Sequence, residues 1–91
     1  MDTIHLEVGG RVQGVGFRWF VLEKARELRL AGWVKNRSDG EVEIAAGGDA
    51  ASLEMLEAAV AAGPNGAQVS HVKKLPALAP ESLQAPFKIV R

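Results

Sequence analysis

Cysteine is missing altogether from this chain of 91 residues. That removes disulfides, thiol nucleophiles and thiolate metal sites, and it is a usage that a reducing compartment tolerates. Net charge is missing too: eleven basic residues meet eleven acidic ones, and the two halves of the chain balance separately. Nucleic-acid binders normally carry a clustered basic excess, so no nucleic-acid partner is expected. No apolar run approaches the roughly 18 residues of a membrane span. The opening stretch MDTIHLEVGG has an early acid and lacks the apolar segment of a signal peptide. These exclusions lead to a small cytoplasmic domain with no membrane partner. The length suits one compact unit, residues 1–91, and leaves little room for a second.

What is present is a clear alternation of periods. Ile4, Leu6 and Val8 alternate with His5 and Glu7, which predicts a first strand with one apolar face. From Phe17 the period changes, and Phe17, Val21, Ala25 and Leu28 fall at helical spacing with Trp19 and Leu22 on the flank of the stripe. A second strand follows from Gly32 to Asn36. Asp39-Gly40 turns the chain as a hairpin signal, and a third strand points Val42, Ile44 and Ala46 inward and Glu41 and Glu43 outward. Asp49 suits the N-cap of a second helix with Leu53, Leu56 and Val60 as its buried stripe, and Gly63-Pro64 supplies a left-handed stop. Near Ala67 a fourth strand begins, where Val69 and Val72 break strict alternation and suggest a bulge. LPALAPESLQAP is a loop, and FKIVR closes as a short edge strand. The order β-α-β-β-α-β predicts an α+β, ferredoxin-like sandwich, with two helices on one face of an antiparallel sheet and the other face wet.

Between the first strand and the first helix lies GRVQGVGFR, residues 10–18, with three glycines, two arginines and no acid. Topology gives this loop its neighbours. A strand–helix–strand crossover is right-handed and returns the chain in the same direction. The loop after strand one and Asn36 at the end of strand two should therefore meet at one edge. Helix N-termini present unpaired amides and a partial positive charge. Gly14 and Gly16 let successive amides converge as an anion-binding nest, and the Arg18 guanidinium fits two phosphate oxygens at once. Alone, an arginine in a first helical turn is electrostatically misplaced, and that misfit favours an anionic partner. Asn36 carries both donor and acceptor and suits the orientation of a water molecule. Nucleotide loops are excluded: three positions after Gly16 stands Trp19 rather than glycine, and Gly16 is followed by Phe17 rather than lysine. The expected ligand is a small phosphate group.

At these residues the sequence resembles the acylphosphatases. GRVQGVGFR is similar to that family's phosphate-loop signature, and GWVKNRSDGEVEI to the signature around its catalytic asparagine. The resemblance implies hydrolysis of small acyl phosphates to a carboxylate and inorganic phosphate, with no cofactor, metal or covalent intermediate; no long apolar edge argues for more than a monomer. It implies Arg18 as the phosphate-binding arginine and Asn36 as the water-positioning asparagine. The loop amides that match are those of Gln13, Gly14, Val15, Gly16, Phe17 and Arg18. Departures are Gly16, where many members have a bulkier residue, Arg37, which follows the asparagine and bears on acyl preference or local charge, and Trp19 at a variable position. A non-catalytic phosphate- or partner-binding domain of the same fold is the alternative. An RNA-binding module would need stacked aromatics, and EVEIAAG has none. Arg11 is expected to end the first strand or to support the loop from outside, with His5 and His71 as exposed strand residues, Trp33 in packing and Lys73-Lys74 as a solvated strand end.

Overall fold

The structure, a computed structural model, describes residues 1–91. Its elements are β1 (Asp2–Arg11), α1 (Phe17–Glu27), β2 (Ala31–Asn36), β3 (Val42–Gly48), α2 (Ala50–Ala62), β4 (Gln68–Lys74) and β5 (Lys88–Ile89). A 3-10 turn at Pro80–Ser82 interrupts the proline-rich loop. The sheet order is β4-β1-β3-β2-β5. β3 lies between β1 and β2 and runs antiparallel to both, which is the split βαβ arrangement that the sequence predicts.

The sheet is mixed, not antiparallel throughout. β5 pairs with β2 in parallel, with Trp33 opposite Lys88 and Val34 opposite Ile89. The route of the chain explains it. β4 is antiparallel to β1 and finishes at the end of the sheet where β1 and β2 begin. Residues 75–87 then cross to the far edge, so β5 starts beside the start of β2 and runs the same way. Main-chain bonds pin this crossing at both ends: Leu75 N–H donates to the His5 carbonyl at 2.8 Å, and Gly32 N–H to the Gln84 carbonyl at 2.9 Å.

Alternation on the strands and the helical stripes meet in one core. Leu6, Val8, Val34, Val42, Ile44 and Ala46 lie against Phe17, Val21, Leu22 and Ala25 of α1 and Leu53, Leu56 and Val60 of α2, all buried. Each such Val, Leu, Ile or Phe side chain contributes about 1.5–3 kcal/mol by leaving water. Leu28 packs only partly against this core, because α1 ends one residue before it. Leu22 joins the core, whereas its expected companion Trp19 is 63% exposed.

The helix ends differ. Asp49 caps α2, its Oδ1 accepting from Ser52 N–H at 2.8 Å. At the other end Gly63 has the expected positive φ of 71°, but ψ is 166°, so the stop is extended and not left-handed helical. The expected bulge is present. Gly9 stands opposite His71 and Gly10 opposite Val69, which leaves Ser70 as the extra residue of β4. Gly10 has φ 116°, and a Cβ there would collide with the Gln68 carbonyl and the Ser70 amide. Arg11 ends β1 as expected, so the loop proper is residues 12–16.

The outer face is polar, yet its charges are paired and only partly solvated. Glu7 accepts from Arg37 Nη1 at 2.7 Å, Glu43 lies 2.6 Å from His5 Nε2, and Glu41 lies 2.9 Å from His71 Nε2. His71 is exposed as expected, but the His5 side chain retains only 12% of its exposure. Its second nitrogen, Nδ1, lies 2.9 Å from the Pro76 carbonyl, where the crossing segment covers it. Trp33 packs edge-on against that ring at 6.1 Å between centroids.

Candidate functional site

β3 sets the geometry of the site. Val42 pairs with Val8 of β1 on one side and with Asn36 of β2 on the other. The loop leaving β1 and the last residue of β2 therefore occupy the same end of the sheet. There Val12, Gly14, Gly16, Phe17, Arg18, Trp19 and Asn36 line a cavity of about 120 Å³. Arg18 and Asn36, 18 positions apart by their numbers, share it. Of the loop residues singled out from the sequence, Gly14, Gly16, Phe17 and Arg18 form its wall, whereas Gln13 and Val15 do not.

The loop holds its shape because its apolar residues turn inward. Val12 and Phe17 are each 1% exposed, and Val15 packs against the core. The glycines between them supply the positive φ that this path requires, +74° at Gly14 and +77° at Gly16. Neither is there for lack of space, since a Cβ at either would meet nothing within 4 Å. Gly16 is the N-cap of α1 in left-handed conformation. Unlike α2, α1 has no capping side chain, and like α2 it has no acid in its first turn. Its first-turn amides have no intrahelical acceptors, and with the Arg18 guanidinium beside them they give this end of the helix a positive potential.

Asn36 completes the cavity. Its Oδ1 is buried and has no hydrogen-bonding partner in the protein. The loop is tied to the segment that follows it by Gln13, whose Nε2 donates to the Arg37 and Glu41 carbonyls, both at 2.9 Å. This staple is legible in no local pattern, because its two acceptors lie 24 and 28 residues away along the chain. The sequence points to the Gln13 amide; the structure gives the side chain a task of its own.

Arg37 follows Asn36 but turns away from the cavity. Its Nη1 donates to Glu7 and its Nη2 to Asp39 Oδ2 at 2.6 Å. The expected influence on acyl preference therefore has no direct route, and Arg37 instead neutralises charge on the outer face. The bond to Glu7, aided by Asp39, raises the pKa of Arg37 above its ordinary value against a smaller desolvation. Asp39 is lowered, first because the Glu41 N–H donates to its carboxylate, then because Arg37 stands beside it, with desolvation acting in opposition.

Glu7, Glu41 and His71 offer ligand atoms within 4.8 Å of one another, but Glu7 already holds Arg37 and Glu41 holds His71. The group belongs to the paired outer face and not to the cavity. A larger groove of about 460 Å³ runs between α2 and β4, lined by Glu54, Glu57, Ala58, Ala61, Val72 and Lys74. Two carboxylates line it and Lys74 lies 3.8 Å from Glu57, so it repels an anion that the smaller cavity suits.

Fold and cavity together define a ferredoxin-like α/β sandwich with an anion-suited pocket at the end of its split βαβ unit. The comparisons with known proteins narrow that class. The family model of acylphosphatases matches residues 4–89. An acylphosphatase of Koribacter versatilis is 49% identical over 97% of this chain and 79% of its own length. The crystal structure of the Bacillus subtilis acylphosphatase superposes with a TM-score of 0.92 at 42% identity, over all of both chains. A solved structure of a Coxiella burnetii acylphosphatase gives 0.83 at 40% identity, over 97% of this chain and 90% of the other. The chain belongs to the acylphosphatase family, and its activity is that of an acylphosphatase.

Proposed function

We propose that the loop amides from Gln13 to Arg18 and the Arg18 guanidinium bind the phosphoryl group, and that Asn36 holds the attacking water. The reaction is hydrolysis of the carboxyl–phosphate bond of a small acyl phosphate to a carboxylate and inorganic phosphate. The carboxylate is a good leaving group, so little proton transfer is needed, and positioning with electrostatic stabilisation supplies most of the effect. Water oxygen bonds to phosphorus as the bond from phosphorus to the acyl oxygen breaks, and the carboxylate leaves with the electron pair. The proton released by water passes to a phosphoryl oxygen of the substrate, which leaves as dihydrogen phosphate. Positive potential comes from the guanidinium and the amides, so no metal is required. Charge-assisted hydrogen bonds of this kind contribute about 1.5–3 kcal/mol each.

The observation that carries this reading is the meeting of Arg18, an uncapped helix N-terminus and the partnerless Asn36 Oδ1 in one small cavity. We place it as a single-domain monomer in the cytoplasm with neither membrane nor nucleic acid as partner: the cysteine-free composition fits that compartment, and the balanced charge fits the absence of a nucleic-acid partner. The test of the residue roles is hydrolysis of benzoyl phosphate. Arg18→Ala should lower kcat/KM by about 10²–10³-fold, the usual cost of one charge-stabilising donor, with the circular dichroism of the fold retained. Near-normal turnover in either Arg18→Ala or Asn36→Ala would overturn the role given to that residue.

A further inference from the structure

We infer that Trp19 forms the acyl-side wall of the site and sets a preference for aromatic over short aliphatic acyl phosphates. This rests on the phosphoryl group occupying the 12–18 loop. The cavity measures about 120 Å³, whereas pockets that enclose organic ligands run to about 300–1,000 Å³. It holds a phosphoryl group and water but not an acyl chain as well. The acyl part must therefore lean on the rim.

The rim offers few surfaces for it. Gly14 and Gly16 have no side chains, and Val12 and Phe17 are 1% exposed with their bulk turned into the core. Arg18 and Asn36 are committed to the phosphoryl group and water. Trp19 alone among the lining residues is large, apolar and open, with 63% of its surface exposed. It sits one residue after the phosphate-binding arginine, on the rigid first turn of α1. An indole so placed presents a face on which a flat acyl group stacks, at little entropic cost because the side chain has only two torsions. No charged side chain other than Arg18 lines the cavity, so a second carboxylate on the acyl group has no partner there.

The experiment compares kcat/KM for benzoyl phosphate and acetyl phosphate in the intact chain, Trp19→Ala and Trp19→Phe. An aromatic contact of ordinary strength corresponds to about a three- to ten-fold effect. Trp19→Ala should lower the benzoyl-to-acetyl ratio by that factor, through KM more than kcat, and Trp19→Phe should restore most of it. A ratio unchanged in Trp19→Ala, or an equal loss for both substrates, overturns the inference. Inorganic phosphate separates this result from a failure of the underlying site. It has no acyl part, so its inhibition constant should stay within about two-fold in Trp19→Ala and weaken strongly in Arg18→Ala. A phosphate constant indifferent to Arg18→Ala would overturn the site itself. One that weakens in Trp19→Ala as much as benzoyl phosphate does would make Trp19 part of the phosphate cradle and overturn the acyl wall.

Discussion

In the proposed reading, Asn36 serves chemistry at no benefit to the fold. Its Oδ1 is buried without a protein donor, and an orphaned acceptor costs about 1–3 kcal/mol. Asn36→Ala removes that acceptor. Turnover should fall by about 10²-fold or more with little change in KM, while urea unfolding shows a stability loss below about 1 kcal/mol. A large loss of stability would mean that Asn36 serves the fold instead. Gln13 is the opposite case. Its Nε2 holds two main-chain carbonyls of the β2–β3 connection, so Gln13→Ala should destabilise by about 1–3 kcal/mol. It should also lower turnover by loosening the loop relative to Asn36; unchanged kinetics in a measurably destabilised variant would limit the staple to stability. Arg18 and Asn36 were legible because two short signatures name them and topology brings them together. Gln13's staple and the outward turn of Arg37 were not, since both depend on partners across the sheet.

Among the elements, the contrast between the two helices carries the functional logic. α2 is capped by Asp49, and Asp49→Ala should cost about 1 kcal/mol without altering turnover. α1 has neither a capping side chain nor a first-turn acid. An acid placed there, as in Trp19→Glu, should stabilise the helix by about 0.3–1 kcal/mol through the macrodipole. The same substitution should weaken inhibition by inorganic phosphate by competing for the positive end. Phosphate inhibition that is unaffected by the new carboxylate would argue against an anion site at this terminus. Strand and helix periods made these elements readable from residue spacing, including the bulge opposite Gly10. The parallel pairing of β5 was not readable. A two-residue strand has no period to read, and its direction follows from where residues 75–87 re-enter the sheet.

For the whole molecule, the outer face couples charge to stability. The lowered pKa of Asp39 means that the folded chain keeps this carboxylate ionised where the unfolded chain, near the ordinary value of about 3.9, takes up a proton. The stability it contributes is complete above that value and is lost as pH falls through the lowered one. Asp39→Asn should therefore flatten the decline of urea midpoints below about pH 4; identical acid slopes in both proteins would contradict the pairing with Glu41 N–H and Arg37. The opposite side of the sheet carries the core, and the end between them carries the cavity proposed for the chemistry. The most direct test of that division is a crystal structure with inorganic phosphate. The account predicts phosphate oxygens within about 2.7–3.1 Å of the loop amides and the Arg18 guanidinium, with Asn36 beside the ion. Phosphate seated elsewhere, with the 12–18 loop making no bond to it, would contradict the account.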